Sequence, residues 1–456
     1  MQVFFPKYNK FVIYKFFENK TVIFIIPQQP CNCVTLFCNK PIICDELASQ
    51  ITDTNERNDR MNWNRYFVLL VCFFAFSAFA GCSKPPKNII FMCPDGMGLA
   101  NVTTARTYLY GPNGDRLNFE KLPYIGYQRT ASKTSFVTDS AAAASAWASG
   151  EKFKDGEISC HDENGDGQCD GTRKNQKTIL ELAVEKQMAT GLVVTADITH
   201  ATPAAWGAHT HSRKCESEIF KQMLENDINV LLGGGIATNR KQCKLEHTAE
   251  SMTQHLISKA EDRGYQYVTT RDELSQVAAD KKLLGLFKTG GLTPIYKRGP
   301  ESDEPTLEEM TRKALSILEA NPNGFFLLVE GSQVDWANHA RHLEYQIHEM
   351  IDFDNAAKAV MDWIYQKRGR TENTLLIVSA DHECGGVIID GPYGDLPAKG
   401  RPEAMAVVFS SNFMNPLHSA GHTAVDTIIW ANQPQCGKAL ENTDLFYIMR
   451  DFIGGN

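Results

Sequence analysis

Asn88-Ile89-Ile90-Phe91-Met92-Cys93-Pro94-Asp95-Gly96 is a short, unbroken apolar run that stops at Pro-Asp-Gly. A half-exposed strand would alternate apolar and polar residues. A continuous run marks a strand buried on both faces, as in a parallel sheet. Outward from this stretch the pattern recurs at 192–196, 230–232, 325–329, 375–379 and 404–409, each run bounded by Gly, Asp or Thr. Helical stretches at 177–186, 306–320 and 345–366 separate them. This alternation predicts an α/β fold: a doubly wound, mostly parallel central sheet with helices on both faces. Residues 270–305 read as an irregular insertion, and no internal repeat is present.

The chain of 456 residues is 43 % hydrophobic, enough for one large domain with a substantial core. A net charge of −8 excludes an extended nucleic-acid surface. Such a protein must bring local positive charge to an anionic substrate, from metals or a placed arginine.

The first 82 residues differ from the rest. Residues 1–60 show no period and are read as untranslated or as a disordered extension. Cys31, Cys33, Cys38 and Cys44 lack the paired spacing of a zinc site. From Met61, a short basic start, an apolar run over 66–80 and small residues before a break describe a secretory signal peptide over 61–81. The run is short for a membrane span; a buried core helix is the other reading. Phe79-Ala80-Gly81-Cys82 resembles the bacterial lipobox, which implies an exported, periplasmic or cell-surface lipoprotein anchored at Cys82. The polar segment 82–86 then links the lipid to a catalytic domain over 87–456.

In open α/β sheets, sites lie beyond the carboxyl ends of the strands. Asp95, Asp197, Glu330 and Asp381-His382 all follow apolar runs. One acid there caps a helix; several, with histidine, point to a metal centre. Ser140 opens the helix-forming run Ala141-Ala142-Ala143-Ala144-Ser145-Ala146-Trp147. By itself it reads as a helix cap or as a group presenting its hydroxyl where backbone amides favour phosphate.

Five segments in order resemble the alkaline phosphatases: Pro94-Asp95-Gly96-Met97-Gly98; Val137-Thr138-Asp139-Ser140-Ala141-Ala142; His200-Ala201-Thr202-Pro203-Ala204-Ala205 with Arg213; Val329-Glu330-Gly331 with Asp335 and His339; and Ala380-Asp381-His382-Glu383 with Gly421-His422-Thr423. The resemblance spans about residues 87–453 and implies two zinc ions and one magnesium ion. Asp335, His339 and His422 resemble the first zinc's ligands. Asp381, His382 and Asp95 with Ser140 resemble the second's, and Asp95, Thr202 and Glu330 those of magnesium. Donor chemistry agrees: histidines with a carboxylate suit zinc, and oxygen alone suits magnesium. The implied reaction is hydrolysis of small phosphate monoesters through a phosphoserine on Ser140, with Arg213 gripping phosphoryl oxygens. His200 and Trp336 stand where some members carry Asp and Lys, which bears on the third metal and on phosphate affinity. The resemblance also implies a homodimer, which no residue demonstrates. The competing readings are a phosphodiesterase or other hydrolase of the same superfamily, and a non-enzymatic metal- or phosphate-binding surface lipoprotein. His209, His211 and His342 are read as packing or capping residues.

One insertion stands apart. In Cys160-His161-Asp162-Glu163-Asn164-Gly165-Asp166-Gly167-Gln168-Cys169-Asp170, the residues Asp162, Asn164, Asp166, Gln168 and Asp170 fall at calcium-loop spacing, with Gly167 at the sharp turn. Arg173 replaces the final bidentate acid. The two readings are a weak calcium site and a polar turn, with Cys160 and Cys169 placed to close the loop. Cys215 with Cys243 is a second candidate disulfide, Cys93 and Cys384 flank ligands, and Cys436 has no evident partner.

Overall fold

In the computed structural model the residues described are 87–169, 176–235, 249–390, 400–402, 405–411 and 419–454, with backbone alone for 249–253 and for three strands nearer the N-terminus. Cys82 and the segments around it, Asp170, Arg173 and Cys243 lie outside them. The chain divides into two compact units, Met1–Pro85 and Pro86–Asn456. In the first, Val12–Lys15, Val22–Gln28 and Cys33–Phe37 form a three-stranded antiparallel sheet.

The second unit is built on a ten-stranded sheet: β1 (Lys87–Pro94), β2 (Tyr124–Arg129), β3 (Ala189–Asp197), β4 (Val230–Gly234), β5 (Tyr265–Val268), β6 (Lys282–Leu286), β7 (Gly324–Gly331), β8 (Thr374–Ser379), β9 (Thr427–Ala431) and β10 (Ala439–Glu441). The spatial order is β10-β2-β9-β8-β1-β7-β3-β4-β6-β5. Only β9 runs against its neighbours. The run that decides the fold is thus a central strand. Its side chains alternate between two core layers, Ile89, Phe91 and Cys93 in one and Ile90 and Met92 in the other. That is why no polar residue interrupts it: both faces are covered.

The helices that matter for the site are α1 (Leu99–Tyr110), α2 (Ser140–Ser149), α3 (Ala201–Gly207), α4 (Leu307–Leu318), α5 (Gln333–His339) and α6 (Leu343–Gln366). On one face Trp147 of α2 and Trp206 of α3 pack on Phe91 at 4.7 and 5.3 Å between ring centroids. On the other, Met310 of α4 and Met350 and Phe353 of α6 cover Ile90 and Met92. Truncating a fully buried Phe such as Phe91 would cost about 3–5 kcal/mol.

The structure corrects two expectations. Within 404–409 the strand Val407–Phe409 lies outside the main sheet, pairing instead with Val387–Ile389. Gly385 and Gly386, both at positive φ (97° and 57°), turn the chain away before it can join. Within 270–305, helix Arg271–Gln276 and strand β6 replace the expected irregular chain. Strand β2 also escaped the apolar-run criterion, because most of its side chains are exposed.

Candidate active site

Register brings the acids to one level. Glu330 of β7 lies opposite Cys93 and Gly331 opposite Pro94, so Asp95 emerges one step beyond, beside Glu330. Val378 of β8 pairs with Met92, which carries Asp381 and His382 to the same rim. Gly96 ties the segments together. Its N–H donates to Asp381 Oδ1 (3.0 Å), and its carbonyl accepts from Cys384 N (3.0 Å) and Asn338 Nδ2 (3.1 Å). Its φ is +71°, and a Cβ there would lie 2.8 Å from Asp335 Cβ. Only glycine fits both the conformation and the space.

Three groups of potential ligand atoms form at this rim, in each of which the atoms all lie within 4.8 Å of one another: Asp335, His339, Cys384 and His422; Asp95, Asp381 and His382; and Asp95, His200 and Glu330. Their donor atoms are conspicuously unused. Both oxygens of Asp95 and of Glu330, Oδ1 of Asp335, Oδ2 of Asp381 and the Thr202 hydroxyl are buried without a hydrogen-bond partner. Burying unpaired carboxylates is costly unless cations accompany them.

The first group is the most specific. Helix α5 puts Asp335 and His339 one turn apart on one face, with Asp335 Oδ2 3.3 Å from His339 Nε2. His339 Nδ1 meets the carbonyl of Ala420, and His422 Nδ1 that of Thr138, so each Nδ1 carries hydrogen. The two Nε2 atoms then face each other at 3.1 Å, with Asp335 Oδ1 3.5 Å from His422 Nε2. In neutral rings that juxtaposes lone pairs, and a shared cation resolves it. A proton can serve, since the hydrogen bond to Asp335 raises the His339 pKa. A dication satisfies all the donors at once.

Ser140 is the first helical residue of α2 rather than its cap. Asp139 takes the capping role, accepting from Ala142 N at 2.9 Å. The Ser140 hydroxyl is therefore free to face the second group, 3.3 Å from His382 Nε2. The other carboxylate oxygen of Asp139 holds Arg213 Nη1 at 3.0 Å, and Arg213 Nη2 lies 3.1 Å from His200 Nε2. Trp336 meets His200 edge-on, ring centroids 5.9 Å apart. Nucleophile, guanidinium and ligand groups thus share one rim.

Electrostatics follow from crowding. Burial, then the charges of Asp381, Asp335 and Glu330, hold the Asp95 carboxyl well above the usual range. Burial likewise pushes Glu330 up to about 8. Burial would raise Asp335 too, but His339, His382 and His422 outweigh it and bring it down to about 2.

Among residues singled out from sequence, Asp95, Ser140, Thr202, Glu330, Asp335, His339, Asp381, His382 and His422 come together here, with Arg213 and His200 beside them. Asp197 ends β3 but joins none of the three groups. His342 caps α6 by accepting from Tyr345 N, and His209 pairs with Glu181. Sequence reasoning missed Cys384 as a group member and Asn338 as a brace. The signal for Cys384 was its spacing: in extended chain it shares a side with His382. Elsewhere, Cys160 and Cys169 are disulfide-bonded. Cys215 is also disulfide-bonded, and Cys93, Cys384 and Cys436 are free and buried. In the loop closed by Cys160–Cys169, Asp162 accepts from Gly165 N and Gly167 N, and Asp166 from Gln168 N.

The chain is similar to known proteins in sequence and in fold. The family model described as alkaline phosphatase matches residues 86–399. The alkaline phosphatase of Escherichia coli K12 is 33 % identical over 81 % of this chain and 87 % of its own length. Alkaline phosphatase 3 of Bacillus subtilis 168 is 36 % identical over 74 % of each chain. A solved histidine-to-glutamate variant of the TAB5 alkaline phosphatase, described with Mg bound in the M3 site, superposes with a TM-score of 0.64 at 27 % identity, covering 82 % of this chain and 99 % of that one.

Proposed function

The chain belongs to the alkaline phosphatase family and is a phosphatase, and from that premise we propose that it hydrolyses phosphate monoesters through a phosphoserine on Ser140 beside two zinc ions and a magnesium ion. The observation that carries this reading is the set of buried, unpartnered ligand atoms around the Ser140 hydroxyl. Asp335, His339 and His422 would hold one zinc; Asp95, Asp381 and His382, the other; and Asp95, Thr202 and Glu330, the magnesium. When bound, these ions supply Lewis acidity that lowers the pKa of nearby hydroxyl and water and offsets phosphate charge.

The protein's own groups do the rest. Ser140, at the start of α2, loses its proton to solvent and attacks phosphorus. The bond to the ester oxygen breaks, and the alcohol leaves with a proton from solvent. Water then attacks the phosphoserine, releasing inorganic phosphate and restoring the hydroxyl. Arg213, steadied by Asp139, offers a planar fork to two phosphoryl oxygens. The amides at the start of α2 add positive potential. His200 offers an imidazole where the magnesium set is otherwise oxygen, which shifts that position toward transition metals.

Export as a lipoprotein anchored at Cys82 belongs to the same reading and rests on sequence alone. Among the described residues no helix is long and apolar enough to cross a membrane. The test of the mechanism is acid quenching during turnover of a radiolabelled monoester. Label on the peptide bearing Ser140 supports it, and turnover with no labelled peptide at any time or pH overturns it.

A further inference from the structure

Cys384 lies two residues beyond His382, fully buried, at the first group of ligand atoms. Three of the segments that build the rim hold it there. Its strand, Glu383–Cys384, pairs with His422–Thr423 so that Cys384 sits directly opposite His422. Its N–H donates to the Gly96 carbonyl, and its thiol points to the Asp335 carbonyl oxygen, 3.8 Å away. Within the same group, Asp335 Oδ1 is buried with no hydrogen-bond partner. A sulfur, a carboxylate and two imidazoles therefore lie within 4.8 Å of one another, with the carboxylate oxygen Oδ1 still without a hydrogen bond.

We propose that Cys384 is a fourth protein ligand of the metal ion held by Asp335, His339 and His422, a role that rests on the metal-centre reading above. Coordination forms a metal–sulfur bond and breaks the S–H bond, and the proton passes to solvent. The thiolate makes the donor set softer, which favours zinc, cadmium or cobalt over magnesium at this position.

The test uses the full chain, stripped of metal and reloaded with cobalt(II), with cobalt content measured by elemental analysis. Visible ligand-field absorption reports that the site is filled, and near-ultraviolet sulfur-to-cobalt charge transfer reports the thiolate. The charge-transfer band is expected in the unaltered chain and in Cys436→Ser, and is expected to vanish in Cys384→Ser and Cys384→Ala at unchanged cobalt content. Zinc affinity should fall roughly ten-fold or more in the same variants. A filled site with visible bands but no charge-transfer band in the unaltered chain overturns the role of Cys384 and leaves the metal centre standing. A band that survives Cys384→Ser does the same. Failure of cobalt to bind at all removes both. Should the variants not fold, the spectrum of the unaltered chain decides alone.

Discussion

Two regions of the molecule are rich in carboxylates and use them in opposite ways. At the sheet's carboxyl edge, Asp95, Glu330 and Asp381 are fully buried, and most of their oxygens meet no donor. In the loop closed by Cys160–Cys169, Asp162 and Asp166 lie at the surface, and their oxygens accept amide hydrogens from their own turn. A solvated acid bonded to its own backbone is stable as it stands. A buried, unpaired one is not, unless a cation joins it. Acid-rich sequence alone is ambiguous; burial together with unspent donors distinguishes a centre that needs ions from a turn that does not.

The contrast can be broken most sharply at the nucleophile. Ser140→Ala should lower turnover of an aryl phosphate by several orders of magnitude at unchanged metal content. Near-normal turnover with full metal loading would detach the centre from the chemistry. Next comes metal removal. Chelation should abolish activity and lower the melting temperature, since metal at a thousand times its Kd stabilises the fold by about 4 kcal/mol. An apo-protein that melts like the loaded one would mean the buried acids find their compensation elsewhere.

Gly96→Ala probes the knot between the segments. Its positive φ and the 2.8 Å approach to Asp335 make a cost of roughly 2–3 kcal/mol expected, with weakened metal retention. Calorimetry and elemental analysis of the variant would show whether the two losses travel together.

Smaller still is the contribution of His209. Burial pulls its pKa down, but the hydrogen bond and charge of Glu181 outweigh this and raise it. A raised pKa means stability fully present below the unfolded value of about 6.5 and lost as pH climbs through the folded value. On the acid side Glu181, lowered by His209 despite its burial, loses its share as pH falls through its own folded value. The melting difference between the unaltered chain and Glu181→Gln, about 1 kcal/mol near pH 6, should shrink toward pH 9. A difference constant with pH would rule out the charged pair.

The least effect belongs to the disulfide-closed loop. Calcium is expected to bind there weakly, with a Kd of about 10⁻⁴–10⁻³ M. Asp162→Ala should abolish that titration and leave turnover untouched. Identical calcium isotherms for the two proteins would reduce the loop to a turn.

Much of this was legible in the chain itself. The central strands announced themselves because a strand covered on both faces tolerates no polar residue, and β1, β7 and β8 are covered on both. Strand β2 did not, because its exposed side chains leave no apolar run, and β6 is a short strand lost within a polar insertion. Asp95, Glu330, Asp381 and His382 were legible because each lies at the end of a recognisable strand, and Asp335, His339 and His422 because they stand in motifs that resemble the family's. Asn338 was not, since no local pattern sets it apart, and Cys384 offered only its spacing from His382.

Sequence alone determined the layered α/β plan, the family resemblance and the residue types at the rim, because apolar runs and short motifs are local properties of a chain. Only the tertiary structure decided that Gly96 locks Asp335 and Asp381 in place, and that Cys384 stands with Asp335, His339 and His422. Those facts depend on strand register and on distances of a few ångströms between residues far apart in the chain, and no local pattern encodes them.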